Sequence, residues 1–91
     1  MLDEAWTLSP SVALRPEPFG ALAYHFGNRK LTFLKRPELV AVVRALGEHP
    51  DIRSALRAAG VPEHQHAAYA EALAGLARTD MIRPRNEGAA A

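Results

Sequence analysis

Cysteine is absent from the 91 residues. That one absence removes disulfides, thiolate metal sites, iron–sulfur ligation and cysteine nucleophiles. A small domain without such staples fits a reducing compartment, and a cytoplasmic protein is expected. Long apolar runs are missing too, since none approaches the ~20 residues a membrane-spanning helix needs. Residues 1–10 do not read as a secretory signal, because Asp3 and Glu4 are acidic and Pro10 breaks the segment. An excess of either charge sign is also lacking: the formal net charge is +1, too balanced for a domain that grips nucleic acid through phosphate contacts. No internal repeat is present. Neither a membrane nor a nucleic acid is therefore an expected partner.

Catalytic signatures are equally thin. Ser9, Ser11 and Ser54 lack a nucleophile-elbow context, and no phosphate-cradling glycine motif occurs. The carboxylates are scattered, with no pair placed for acid–base work. His64 and His66 stand two apart, so on a helix they point about 200° away from each other and cannot share an ion. These histidines read as solvated. No metal, cofactor or catalytic residue is expected, and the chain does not read as an enzyme.

What is present is one domain over residues 1–87, with residues 88–91, Gly-Ala-Ala-Ala, as a flexible tail. The first third alternates with period two. Residues 11–15 place Val12 and Leu14 on one face, and Pro16 and Pro18 then argue for a connection rather than a ladder. Leu22, Tyr24 and Phe26 alternate next, Gly27-Asn28 signals a two-residue type II′ turn, and residues 29–35 return. The register that follows sets Tyr24 opposite Leu31 and Leu22 opposite Phe33, with Ala23 and Thr32 on the other face. The large apolar pairs are read as the core face, which the helices should cover.

Three helices follow. Pro37 suits a first helical position, and Leu39, Val42, Val43 and Leu46 form one stripe. Asp51 is an N-cap for a second stripe of Ile52, Ala55, Leu56 and Ala59, which Gly60 closes. The third helix spans residues 63–78, with Tyr69, Ala72, Leu73, Leu76 and Ala77 on its buried side. Met81 and Ile82 pack as the chain leaves. The fold class is α+β: a three-stranded antiparallel β-sheet followed by three α-helices, winged-helix-like in order.

That order admits a second reading, a winged-helix DNA-binding protein. The surface of the would-be recognition helix argues against it. Its first turns carry Glu63, His64, Gln65, His66 and Glu71, and its only arginine, Arg78, is at the far end.

The segment Leu14-Arg-Pro-Glu-Pro-Phe-Gly-Ala-Leu22 and the strand Leu31-Thr-Phe-Leu-Lys35 carry a sharper signal. Together with the run from Trp6 to Phe26 they resemble the mycofactocin biosynthesis chaperone family, over essentially the whole chain short of the tail. That family is similar to the small chaperone of pyrroloquinoline quinone biosynthesis, within the recognition elements of ribosomally synthesised, modified peptides. The resemblance implies a winged-helix-like fold and two partners: a precursor peptide with an acidic leader, and a radical S-adenosylmethionine (SAM) maturase that modifies the peptide. Iron–sulfur chemistry then belongs to the maturase. It also implies leader uptake as an added strand beside residues 31–35 and the third helix. On that reading Arg29, Lys30, Lys35 and Arg36 steer the leader. Backbone groups of Leu31 to Lys35, Thr32 and Phe33 among them, supply the ladder, and Leu34, Tyr69, Leu73 and Leu76 are the candidate pocket walls. Leu34 is placed there because it lies opposite the Leu31 and Phe33 face. The open strand edge is also a surface where a second copy would pair to form a homodimer.

Overall fold

The computed structural model describes residues 1–85. The reading of residues 88–91 as a tail therefore lies outside the described residues. The chain forms β1 (Trp6–Leu8), β2 (Val12–Glu17), β3 (Gly20–His25), β4 (Leu31–Leu34), α1 (Pro37–Ala45), α2 (Ile52–Ala58), α3 (His66–Arg78) and β5 (Ile82–Pro84). Strands β2, β3 and β4 make the antiparallel meander in that spatial order. The expected register holds, with Leu22 opposite Phe33, Ala23 opposite Thr32 and Tyr24 opposite Leu31.

The turn that closes this register differs from the expectation. His25 N–H donates to the Lys30 carbonyl at 3.0 Å and Arg29 N–H to the His25 carbonyl at 2.8 Å, so residues 26–29 form a four-residue loop. Arg29, at φ 62°, holds the left-handed position, and Gly27 does not. His25 explains why the loop keeps this shape: its Nδ1 accepts the backbone N–H groups of Gly27 and Asn28 at 2.9 and 3.1 Å. Asn28 closes the loop from the other side, accepting the Lys30 N–H at 2.9 Å.

Strand β2 also runs further than expected, through Pro16 to Glu17, which faces Gly20. Pro16 is tolerated because β2 is an edge strand, where a missing N–H removes little. Gly20 is required at the tight return: its φ is +154°, and a Cβ there would sit 2.0 Å from the Leu34 carbonyl oxygen.

The sheet faces are inverted relative to the reading from sequence. Ala21, Ala23, His25 and Leu34 are buried, whereas Leu31 and Phe33 are each 57% exposed and Phe26 is 64% exposed. The helices cover the face with the small side chains. Alanine at positions 21 and 23 admits close approach of a helix layer whose Val42, Val43 and Leu46 fill the space. The large residues of β3 and β4 are left on the opposite, open face.

Helix α1 begins at Pro37, as expected, and Leu46–Glu48 tightens into a 3₁₀ turn after it. Asp51 caps α2 by accepting the Ser54 N–H at 2.8 Å. Its C-terminus is a Schellman motif: Gly60, at φ +80°, donates to the Arg57 carbonyl, and Val61 donates to Leu56. A second 3₁₀ turn, Glu63–Gln65, precedes α3. Within α3, Tyr69, Leu73 and Leu76 are buried, but Ala72 is exposed, contrary to the expectation, because it faces outward beside the open sheet edge. The histidines are not uniformly solvated: His25 and His66 are buried and hydrogen-bonded. His66 Nε2 donates to the Val61 carbonyl at 3.0 Å, which ties the start of α3 to the end of α2.

Strands β1 and β5 add a two-stranded sheet that periodicity did not reveal, with Trp6 opposite Pro84 and Leu8 opposite Ile82. Met81 and Ile82 are buried as expected. The core is one cluster joining Leu34, the α1 stripe, Ile52, Leu56, Tyr69, Leu73, Leu76 and Ile82.

Candidate functional site

Among the described residues, strand β4 is an edge. The His25 N–H points to β4, and the Phe26 N–H points to β2, where it donates to the Ser11 carbonyl at 2.9 Å. Backbone direction alternates along an antiparallel strand. Thr32 and Leu34 therefore turn their N–H and C=O groups toward β3, and Leu31 and Phe33 turn theirs outward. An unpaired row of this kind is a template for another strand.

A groove of about 290 Å³ lies beside this edge. Phe33, Lys35 and Arg36 form one bank, Leu39 of α1 contributes at the end, and Ala68, Tyr69 and Ala72 of α3 form the other. Ala68 and Ala72 are four apart, so they share a helix face, and their size leaves room for an approaching backbone. The Arg36 guanidinium lies 6.0 Å from the centre of the Tyr69 ring, at the limit of a cation–π contact. A shallower hollow continues past Phe33 and Lys35 to Phe19 on the outer face of the sheet.

The eleven residues expected at the site are divided by the structure. Phe33, Lys35, Arg36 and Tyr69 line the groove. Leu31 stands exposed beside it, Thr32 is half-buried on the inner face, and Arg29 and Lys30 are exposed on the turn. Leu34, Leu73 and Leu76 are buried in the core cluster, so their side chains do not line the groove. Leu34 was expected to be the less core-like residue of the strand; its 1% exposure corrects that, because it shares the covered face with Ala21 and Ala23. Leu39, Ala68 and Ala72 were not foreseen at the site. Their signal in the sequence was the Ala-Tyr-x-x-Ala spacing, which presents two small residues and one aromatic on one face of α3.

Two carboxylates, one at each end of α3, are held by neighbours. Glu63 at the entry to α3 accepts two hydrogen bonds from Arg57, which hold its carboxyl below the usual range. Asp80, just past α3, accepts from His25 Nε2 at 2.8 Å and from Arg83 at 2.9 Å, and its carboxyl is lowered by these bonds, His25 first. No cluster of three or more metal-ligating side chains occurs among the described residues. Among them, too, no helix is long and apolar enough to cross a membrane.

No solved structure matches the chain. Curated relatives do. The chain is 58% identical over 83 residues to the peptide chaperone MftB of Mycobacterium ulcerans (strain Agy99), covering 91% of this chain and 76% of that protein. It is 55% identical to the peptide chaperone MftB of Mycobacterium tuberculosis over the same shares. The peptide chaperone MftB of Mycolicibacterium smegmatis is 56% identical over 84 residues, 92% of this chain and 82% of that protein. The model of the peptide chaperone MftB family matches residues 5–83. These names describe a non-catalytic protein that handles a peptide, and they do not favour the DNA-binding reading. The chain belongs to the peptide chaperone MftB family.

Proposed function

We propose that this peptide chaperone binds the acidic leader of a ribosomally made precursor, the mycofactocin precursor, as a strand added to the outer edge of β4, and presents it to a radical SAM maturase. The observation that carries this reading is the open edge of β4 lying beside an apolar groove with Lys35 and Arg36 at its bank. Backbone groups of Leu31 and Phe33 form the ladder, a source of affinity that tolerates sequence variation. Four strand residues reach about 13 Å at ~3.3 Å each, enough for four or five leader residues. Alternate leader side chains enter the groove against Tyr69, and the small Ala68 and Ala72 let the leader lie close to α3.

Arg29, Lys30, Lys35 and Arg36 raise the encounter rate with an acidic leader. Leu34, Leu73 and Leu76 act from beneath, holding β4 and α3 in place. Ordering the leader offsets part of the gross interaction energy, and the dissociation constant is expected at about 0.1–10 μM, about −7 to −10 kcal/mol. A chaperone that must release its cargo works in this range. Tethering the leader raises the effective concentration of the peptide's modified end at the maturase.

The test is a titration of isotope-labelled protein with synthetic leader, followed by amide chemical shifts. The expected shifts concentrate in residues 29–36 and along the Ala68–Ala72 face of α3. Shifts confined to β2, β1 and β5, or none at all, sink the strand-addition reading.

A further inference from the structure

The outer face of the meander carries large apolar side chains that no part of the described chain covers. Phe26, Leu31 and Phe33 are more than half exposed and Phe19 is 41% exposed. Half-buried Leu22 and Tyr24 lie among them on β3. The rings are arranged in pairs at the two ends of the face. Tyr24 and Phe26 meet edge to face at 5.0 Å, and Phe19 and Phe33 sit 5.7 Å apart. A contiguous apolar face of this kind on a small domain marks a surface that another molecule covers.

The proposed leader does not cover all of it. A strand added to β4 lies ~4.8 Å from β4 and so about 10 Å from β3. Its outward side chains reach Leu31 and Phe33 but leave Tyr24 and Phe26 open. A second occupant is therefore required. Charge selects among occupants. Residues 12–36 hold five of the eleven basic residues and one of the ten acidic ones, net +4, against −3 for the remaining chain. Of these basic residues, Arg15 lies on the outer face opposite Leu22, Lys35 lines the hollow with Phe19 and Phe33, and Arg29 and Lys30 are exposed on the turn that carries Phe26. A second copy docked face to face would set basic residues against basic residues, with Glu17 alone to offset them. A surface that is apolar at its centre and rimmed by carboxylates fits instead.

Resting on the leader-binding reading above, we infer that this outer face docks the enzyme acting on the carried peptide, through a patch of that chemistry. The bound leader lies at the border of the face, beside Leu31 and Phe33. The enzyme thus meets a composite surface, half chaperone sheet and half leader strand.

Phe26 tests this, because it is exposed, lies in the turn, and is remote from the groove. The full chain and its Phe26→Ser and Phe26→Glu variants are compared, with amide spectra confirming the fold. Affinity is measured for labelled synthetic leader, and for the purified radical SAM maturase with and without that leader. The expected result is leader affinity within about twofold of the parent and maturase affinity down about tenfold for serine, the loss typical of one aromatic anchor, and further for glutamate.

Unchanged maturase affinity in both variants overturns the inference while leaving the groove reading intact. A parent chain that does not bind the maturase overturns it too. So does loss of leader binding in Phe26→Ser, because the face then belongs to the leader. Concentration-dependent self-association abolished by Phe26→Ser overturns it in favour of a second copy. A parent chain that binds maturase but no leader instead sinks the groove reading on which the inference rests.

Discussion

Alternation along β4 gives neighbouring residues opposite work. Leu34 is in the core cluster with Val42 and Leu73, and Phe33 is at the groove. Truncating Leu34 to alanine leaves a cavity that neighbours fill only in part, a loss of about 2–5 kcal/mol. Phe33→Ala leaves little behind, and its stability cost is about 1 kcal/mol or less. Urea denaturation separates the two, and leader titration reverses their order: Phe33→Ala weakens leader binding, whereas the folded fraction of Leu34→Ala binds normally. Equal denaturation midpoints would refute this division. The pairing of Leu22 with Phe33 and of Tyr24 with Leu31 was legible, because a turn signal and period two fix register. Which face is buried was not. The size of Leu22, Tyr24, Leu31 and Phe33 pointed inward by the rule that large apolar residues seek the core. The structure uses them on its open face and puts alanine where helices must come close.

Two elements distant in sequence are tied together where α3 ends. Asp80, at φ 59°, takes the left-handed position that glycine usually fills, and Met81 N–H reaches back to the Leu76 carbonyl at 2.9 Å. The Asp80 carboxylate then accepts from His25 and Arg83, and Asn28 donates to the Thr79 carbonyl at 2.9 Å. The β3–β4 turn is thus fastened to the helix that banks the groove. Because the folded state lowers the Asp80 pKa from 3.8, its contribution is present above about that pH and is lost as pH falls through the lower folded value. Asparagine tolerates the left-handed position, so Asp80→Asn removes the charge with the turn preserved. The stability difference between parent and Asp80→Asn is expected to be largest above about pH 4 and to shrink below it. A difference constant through the acid range contradicts the link. The helices themselves were readable from stripes, Pro37, Asp51 and Gly60. Strands β1 and β5 were not, because each has three residues and its partner lies more than seventy positions away, where local periodicity carries no information.

Seen whole, the molecule segregates its charge. The sheet segment carries net +4 within a chain of net +1, and its apolar outer face and open edge adjoin the same basic residues. Composition alone hides this, and the position of Arg29, Lys30, Lys35 and Arg36 beside the strand made it legible before the groove was. The distribution has a consequence for binding. Exposed charges act over roughly 10 Å at 0.1 M salt and about 3 Å at 1 M, so salt removes their reach and leaves the backbone ladder intact. Leader affinity is therefore expected to fall about tenfold between low and high salt, through slower association at a nearly constant dissociation rate. The Lys35→Glu/Arg36→Glu pair, both exposed, is expected to lower affinity at low salt and to flatten the salt dependence. Stopped-flow association at several salt concentrations measures both. If affinity instead rises with salt in the parent chain, apolar contact governs the encounter, and the basic residues serve solubility along an open strand edge rather than recognition.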